Sequence, residues 1–366
     1  MCKSNTEIAY YEQMHKECII RTVMKMKKAI RIIDIANELG MSRNTVAKAL
    51  NGNRVPDQTR QSVFEKAAEL GYKGLGSSQL ETTYLRNQKI LILTSHPLSN
   101  LSFFMALIRG IESTVRTYNF ELLQYTFNEN TTYRELNAYI KGLNLDGIIC
   151  IESFSERFIK QILSLEIPIV FIDFMYQEKT MPGYYDIVTM SGFRQVKEIC
   201  DYLINKYNFT TFGFVGDYRH CLGFYERFAA MREALFNAKI DYEPRYSLLM
   251  QDTFEYGEAI KLKEKILDMN QLPQAFICAN DFIASSMIKA LTMVGKLIPR
   301  HISVIGFDNS VESRVVSPKI TTVHVDKEFL GKQALLVLLN RIKHPKEKNR
   351  IVYIDTEIII RESTPS

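Results

Sequence analysis

The sequence predicts an α/β protein with an N-terminal three-helix helix-turn-helix head and a much larger body of doubly wound parallel sheets. Three observations predict it. Between residues 30 and 73, two short helical patterns flank Gly40-Met41-Ser42, and a third follows at Pro56-Asp57. From residue 89 onward, apolar runs alternate with helical patterns of roughly 10–15 residues, which is how parallel strands and their crossover helices read. The formal net charge of +5 lies wholly between residues 25 and 73, and the rest of the chain is neutral.

In the head, residues 30–39 and 43–50 are the expected helices. Ala36 is small where the second helix crosses the first, and Gly40 suits a bend with positive φ. Val46 points inward and locks the pair. Ser42 is placed to cap the second helix through its hydroxyl. The outward positions of that helix are Arg43, Asn44, Ala47 and Lys48. Long donors and an amide are what base edges in a major groove require. Asn51-Gly52-Asn53 is a turn cluster. Val63, Phe64, Ala67, Ala68 and Leu70 give the third helix its apolar face, ended by Gly71. A basic head on a neutral body is an electrostatic footprint for phosphate, and the plain alternative is a solvated charged face.

Residues 1–28 lack clear periodicity and are expected to be poorly ordered, or to be bypassed by a start at Met24 or Met26. A basic arm of Lys25, Lys27 and Lys28 laid on DNA is the alternative. Residues 74–88 have linker composition, rich in Gly, Ser and Thr.

In the body, expected strands are 89–94, 121–127, 147–151, 168–173, 187–189, 212–215, 246–250, 275–279 and 302–306. The intervening helices lie near 102–118, 132–143, 155–165, up to 206, 224–238, 256–268 and 281–294. These are too many strands for one small sheet, so two sheets facing each other are expected. Ligands of such folds bind beyond the carboxyl ends of the strands. The residues there include Phe103, Phe104, Asp173, Asp217, Asn280, Asp281 and Asp308, with Arg227 on a following helix. Carboxylates, an amide and an arginine beside aromatic rings suit a polyhydroxylated ligand, or a small anion at Arg227. For any one of them the alternative is a helix cap or an internal salt bridge, Asn280 and Asp281 especially.

Other chemistry is poorly supported. No apolar run approaches the roughly 18 residues of a membrane-spanning helix. The N-terminus lacks a signal-peptide pattern. Cys2, Cys18, Cys150, Cys200, Cys221 and Cys278 form no CxxC pair, which points to reduced thiols in a cytoplasmic protein. There is no Walker loop, no GxSxG and no HExxH, and the histidines His15, His96, His220, His301, His324 and His344 lack metal-ligand spacing. Neither an enzyme nor a bound cofactor or metal is expected.

Asp34-Ile35-Ala36, Gly40-Met41-Ser42, Thr45-Val46, Ala49-Leu50-Asn51-Gly52, Thr59-Arg60 and Glu69-Leu70-Gly71-Tyr72 together resemble the head of the lactose-repressor (LacI/GalR) family. Asp146-Gly147-Ile148-Ile149, Ala275 to Asp281, Ile302 to Asp308, Ile320 to Val323 and Arg361-Glu362-Ser363-Thr364 continue the resemblance through nearly the whole chain. It implies a periplasmic-binding-protein-like body of two subdomains, about 89–189 with 318–345 and about 190–317 with 346–366. It implies a homodimeric, sequence-specific DNA-binding regulator, a repressor, controlled by a small-molecule effector such as a sugar or sugar derivative. Arg43, Asn44 and Lys48 would face bases, and Ser42, Thr45 and Asn51 would hold phosphates of double-stranded operator DNA. Phe103 or Phe104, Asp173, Arg227, Asn280 and Asp308 would line the effector site. The chain departs from the family twice. Gly74 and Gly76 stand where relatives begin a hinge helix, so a plain tether is expected there rather than a wedge at Leu80 or Leu85. Met190 stands where many relatives carry Asp, so no named sugar transfers. A sugar sensor with a vestigial head, or a regulator answering to a protein partner, are the competing readings.

Overall fold

The computed structural model describes residues 30–50, 55–70, 72, 89–94, 101–118, 120–126, 133–151, 156–175 and 183–365. The expectations for residues 1–28, for the turn at 51–53 including Asn51, for Gly71 and for the linker at 74–88 lie outside the described residues. The chain divides into two compact units, 1–86 and 87–366.

The first unit holds helices α1 (Ile32–Leu39), α2 (Arg43–Leu50) and α3 (Asp57–Leu70). Gly40 ends α1 in the left-handed region with φ 61°, and the Met41 N–H reaches back to the Ala36 carbonyl at 2.9 Å. Only a residue without Cβ takes that conformation at no cost, so Gly40 sets the angle between α1 and α2. Ile35, Ala36, Val46, Ala49, Leu50, Val63, Phe64 and Ala67 form the head's core.

The second unit alternates strands and helices. In chain order they are β1 (Lys89–Thr94), α4 (Leu101–Tyr118), β2 (Glu121–Thr126), α5 (Tyr133–Leu143), β3 (Gly147–Ile151), α6 (Glu156–Leu163), β4 (Ile169–Ile172) and β5 (Tyr185–Met190). Then come α7 (Phe193–Tyr207), β6 (Phe212–Val215), α8 (Leu222–Asn237), α9 (Ala259–Leu267), β7 (Ala275–Cys278), α10 (Asp281–Met293), β8 (Ser303–Ile305) and α11 (Glu312–Val315). The chain ends with β9 (Thr322–His324), α12 (Lys327–Lys343), β10 (Ile351–Ile354) and β11 (Glu357–Ile359). One lobe is built on an all-parallel sheet of order β10-β5-β4-β3-β1-β2, and the other on the parallel sheet β6-β7-β8 with the antiparallel pair β9-β11 beside it. The strands β1, β3 and β4 read as nearly continuous apolar runs, as strands buried on both faces of a parallel sheet do.

Three expectations are corrected. The segment 346–366 does not lie wholly in the second lobe, because β10 pairs with β5 in the first. Conversely 318–325 belongs to the second lobe: Thr321 bridges to Ile305, and its N–H reaches Ser363 Oγ at 2.8 Å. The chain therefore crosses between lobes near 191, 325 and 355. The expected strand 246–250 is replaced by a 3-10 turn, Pro244–Tyr246, and a single bridge from Leu248 to Val215. Pro244 starts that turn, and its fixed φ suits the first position of a helical turn.

Helix α12 packs on α4 at close range. A Cβ on Gly331 would stand 2.1 Å from the Leu107 carbonyl oxygen, so the crossing admits no side chain there. The other end of α12 is pinned by charge. Arg341 and Asp186 are fully buried and joined by two hydrogen bonds of 2.6 and 3.0 Å. Arg341 also donates to the Glu347 and Lys348 carbonyls, and Arg350 adds a second donor set to Asp186. Burial alone would raise the Asp186 carboxyl, but these arginine hydrogen bonds outweigh it and hold it below its ordinary 3.8. A depressed carboxyl contributes stability that is present above its unfolded value and lost as pH falls through its folded value. Arg341→Met should therefore cost about 3 kcal/mol in urea unfolding at pH 7, because it leaves the buried carboxylate with Arg350 as its remaining cation. The difference from wild type should shrink as the pH drops below about 4, where Asp186 is neutral in the unfolded chain.

Candidate functional site

The head presents one face of α2. Ser42, Arg43, Asn44 and Lys48 are exposed and Thr45 is half-buried, while Val46, Ala49 and Leu50 face the core. The Thr45 N–H donates to Ser42 Oγ at 3.0 Å, so Ser42 caps the helix. The two hydroxyls lie 2.8 Å apart. One of their two protons is spent in that mutual bond, and the other remains to meet an acceptor such as a phosphate oxygen. Asn51 is outside the described residues.

In the body, the candidates converge where the lobes meet. Asp173 follows β4 in the first lobe with φ 54°. Its Oδ1 accepts the Thr189 hydroxyl at 2.8 Å and the Gly223 N–H at 2.8 Å. Gly223 lies in the first turn of α8, in the second lobe. The carboxylate thus sits at the positive end of a 16-residue helix. A Cβ on Gly223 would stand 2.9 Å from both Asp173 Oδ2 and Arg227 Nη2, so glycine is what lets the carboxylate and the guanidinium approach the same spot.

Arg227 is 2% exposed. Its Nη1 donates to the Ala279 carbonyl, and its guanidinium carbon lies 3.5 Å from the centroid of the Phe307 ring. Stacking fixes the guanidinium plane. Among the described residues, its buried Nε has no hydrogen-bond partner. A buried charged donor without a partner is costly, and a ligand oxygen placed there would remove the cost.

Asp308 follows Phe307. Burial raises its carboxyl to about 6, with Arg227 and Lys327 opposing and Asp173 and Glu312 adding to the rise. Lys327, at the start of α12, donates to the Asp308 and Val325 carbonyls and lies 6.0 Å from the Phe103 ring centroid. Phe103 is half-buried, whereas Phe104, edge-on to it at 5.5 Å, is buried. The aromatic candidate beside the charged cluster is therefore Phe103.

Asn280 and Asp281 take the plainer roles left open for them. Asn280 Oδ1 caps α10 by accepting the Ile283 N–H at 2.9 Å, which leaves its Nδ2 amino group uninvolved in the cap. Asp281 is an internal acceptor for the Thr322 hydroxyl and the Ser310 N–H. Asp217 is engaged by Arg219. Met190 is buried in β5 beside Ile354, so it is a core residue. Sequence reasoning missed Phe307 and Lys327. The only signal for Phe307 was its place next to Asp308. Cys150, Cys200, Cys221 and Cys278 are buried and unpaired by disulfides, and burial pushes their thiols up. Among the described residues no three His, Cys, Asp or Glu side chains gather as metal ligands, and no helix is long and apolar enough to cross a membrane.

Comparison with known proteins agrees with this architecture. Residues 200–364 match the periplasmic binding protein-like domain family. The chain is 29% identical over 339 residues to the HTH-type transcriptional repressor PurR of Vibrio parahaemolyticus, covering 91% of this chain and 98% of that one. It is 26% identical over 336 residues to the ribose operon repressor of Haemophilus influenzae, covering 90% and 97%. Two solved structures share its fold. The transcriptional regulator CelR in complex with cellobiose has a TM-score of 0.67 at 19% identity, covering 91% of this chain and 99% of that one. The lac repressor dimer bound to operator and the anti-inducer ONPF has a TM-score of 0.63 at 18% identity, covering 93% and 100%. Over about nine-tenths of its length the chain is thus similar to transcriptional repressors, and it shares the fold of these regulators.

Asp281 supplies a direct check on this buried region. Burial, reinforced by Asp308, raises its carboxyl to about 7. A carboxyl raised on folding makes the protein gain stability as pH falls through the folded value toward the unfolded one. Urea midpoints should therefore rise from pH 8 to pH 5.5. Asp281→Asn should flatten that slope; an unchanged slope would contradict the assignment.

Proposed function

We propose that the chain is a sequence-specific DNA-binding repressor, without enzymatic activity, whose grip on DNA is set by a small molecule held between the lobes. The observation that carries the effector half is Arg227: buried, stacked on Phe307, with an unfilled Nε, and with its Nη2 brought close to Asp173 over Gly223. Such a group of carboxylates and guanidinium fits hydroxyls or ring heteroatoms of a neutral ligand, with Phe103 and the Asn280 amide nearby in the fold as further contacts. The likeness to a ribose operon repressor and to a cellobiose-bound regulator supports a sugar or sugar derivative.

The DNA half rests on the exposed face of α2. Arg43, Asn44 and Lys48 read base edges, while Ser42, Thr45 and Asn51 hold phosphates. Two copies of the chain, related by a two-fold axis in the cytoplasm, read two half-sites of a near-palindrome. A ligand that favours one arrangement of the lobes changes how the heads are held. The coupling is reciprocal, so DNA changes effector affinity by the same factor.

Two measurements check these assignments. Arg43→Ala and Lys48→Ala should each cost about 1–3 kcal/mol on DNA selected from a random pool, and less on random DNA. Equal losses on both DNAs would contradict base reading. In thermal-shift titration against D-ribose, cellobiose and the nucleobases, the stabilisation that wild type shows with its ligand should vanish in Arg227→Met, while DNA binding without ligand persists. A wild-type protein stabilised by none of these compounds would favour control by a protein partner instead.

A further inference from the structure

Lys327 stands apart from every other charged group in the cleft, because it alone reaches it from α12. The helix itself belongs to the first lobe. It is capped by Asp326, whose Oδ1 accepts the Phe329 N–H at 2.9 Å, and it packs on α4 and on the six-stranded sheet. Its first side chain turns the other way. Lys327 Nζ donates to the carbonyl of Asp308, a residue of the second lobe whose own N–H reaches Val323 at 2.8 Å.

Asp308 needs such support. Its φ is 104°, and that of Asn309 is 48°. A non-glycine residue in this region costs on the order of 1–3 kcal/mol and persists only where its surroundings hold it. Most of the surroundings belong to the second lobe. The Asn309 N–H meets the Thr322 hydroxyl at 3.2 Å, and Arg361 Nη2 meets Asn309 Oδ1 at 2.6 Å. The Lys327 ammonium is the contact from the first lobe.

A neutral donor could satisfy two carbonyls without the desolvation cost of a buried ammonium, so the charge has a use beyond those bonds. The group it serves is the Asp308 carboxyl. The charges facing that carboxyl are Arg227 from α8, Lys327 from α12, Asp173 from the turn after β4, Glu312 from α11 and Asp281 from the start of α10. Lys327 in turn is lowered first by burial and then by Arg314, and is held up by Asp308, Asp281 and Asp326.

We propose that Lys327 is a positioning residue that ties Asp308 to the first lobe: its ammonium holds the backbone of Asp308 in the left-handed conformation and keeps the carboxyl charged for the ligand. This rests on the effector site proposed above. When the lobes shift, the Lys327–Asp308 bond shifts with them. Both the direction and the charge of the carboxyl then depend on the lobe arrangement, and ligand affinity follows.

The test uses full-length protein carrying carbon-13 at the aspartate carboxyls, with Asp308→Asn identifying the signal. In wild type the Asp308 carboxyl should titrate near pH 6. Lys327→Met should move its midpoint up by about one pH unit, the size expected on losing a nearby opposite charge. Lys327→Arg should restore most of it. A midpoint unmoved in Lys327→Met overturns the proposal, since a merely structural lysine would alter stability and leave the titration alone. Should Lys327→Met not fold, the reciprocal reading decides. In Asp308→Asn, the Lys327 ammonium, followed through carbon-13 at Cε, should titrate at lower pH than in wild type; an unchanged titration overturns the proposal. No ligand enters either reading. Failure of the effector site would appear separately, as a wild-type protein that D-ribose, cellobiose and the nucleobases all leave unstabilised.

Discussion

The body depends on one clasp. The Asp173 carboxylate, fixed by the Thr189 hydroxyl in the first lobe, accepts the Gly223 N–H at the start of α8 in the second. The Asp173 carbonyl accepts the Leu222 N–H in the same turn. Hydrogen bonds to a charged group contribute about 1.5–3 kcal/mol each, so the clasp is strong enough to hold the lobes and weak enough to be redrawn by a ligand. One turn further along α8, Arg227 inherits its position from this contact. Phe307 sets the plane of the guanidinium, and Asp308 follows Phe307 in sequence. On the same helix Glu226 accepts the Tyr353 hydroxyl of β10 at 2.7 Å, a second tie between the lobes. Moving one lobe against the other must disturb the site, and filling the site must bias the lobes.

Two buried charge clusters in this body behave oppositely, and the contrast separates structure from function. Around Asp186, every carboxylate oxygen and most guanidinium donors of Arg341 have partners, and the carboxyl is held below its ordinary value. That cluster is complete in itself and pins α12 to the loop before β10. Around Asp308, the carboxyl is raised by burial, and the Arg227 Nε nearby is unfilled. Perturbed titration beside an unmet donor is what the proposed ligand site rests on.

Much of this was legible in the sequence. Gly40, Ser42 and Val46 specify the turn of the head through backbone freedom, capping and packing, all local effects. The apolar runs of the first lobe give its strands because a parallel sheet buried on both faces leaves no other reading. What was not legible depends on distant pairing. Nothing near residues 351–354 says that they pair with Ile187 to Met190. Tyr246 to Met250 has strand-like composition, but its pairing with β6 amounts to a single bridge from Leu248 to Val215. Asn280 and Asp281 each read equally as ligand contact or cap, and only coordinates show one capping α10 and the other serving Thr322 and Ser310. Lys327, beside Asp326 at a helix start, reads as a solvated charge; its burial comes from the second lobe folding over it.

The central claim is that occupancy of the cleft governs the head. It is tested most directly by measuring the affinity of the full-length protein for its selected DNA by fluorescence anisotropy, across a titration of whichever compound stabilises it thermally. DNA affinity should change by a factor of about 5–150 at saturation, with the reciprocal change in ligand affinity when DNA is present. A compound that saturates the cleft and leaves DNA affinity unchanged would contradict it.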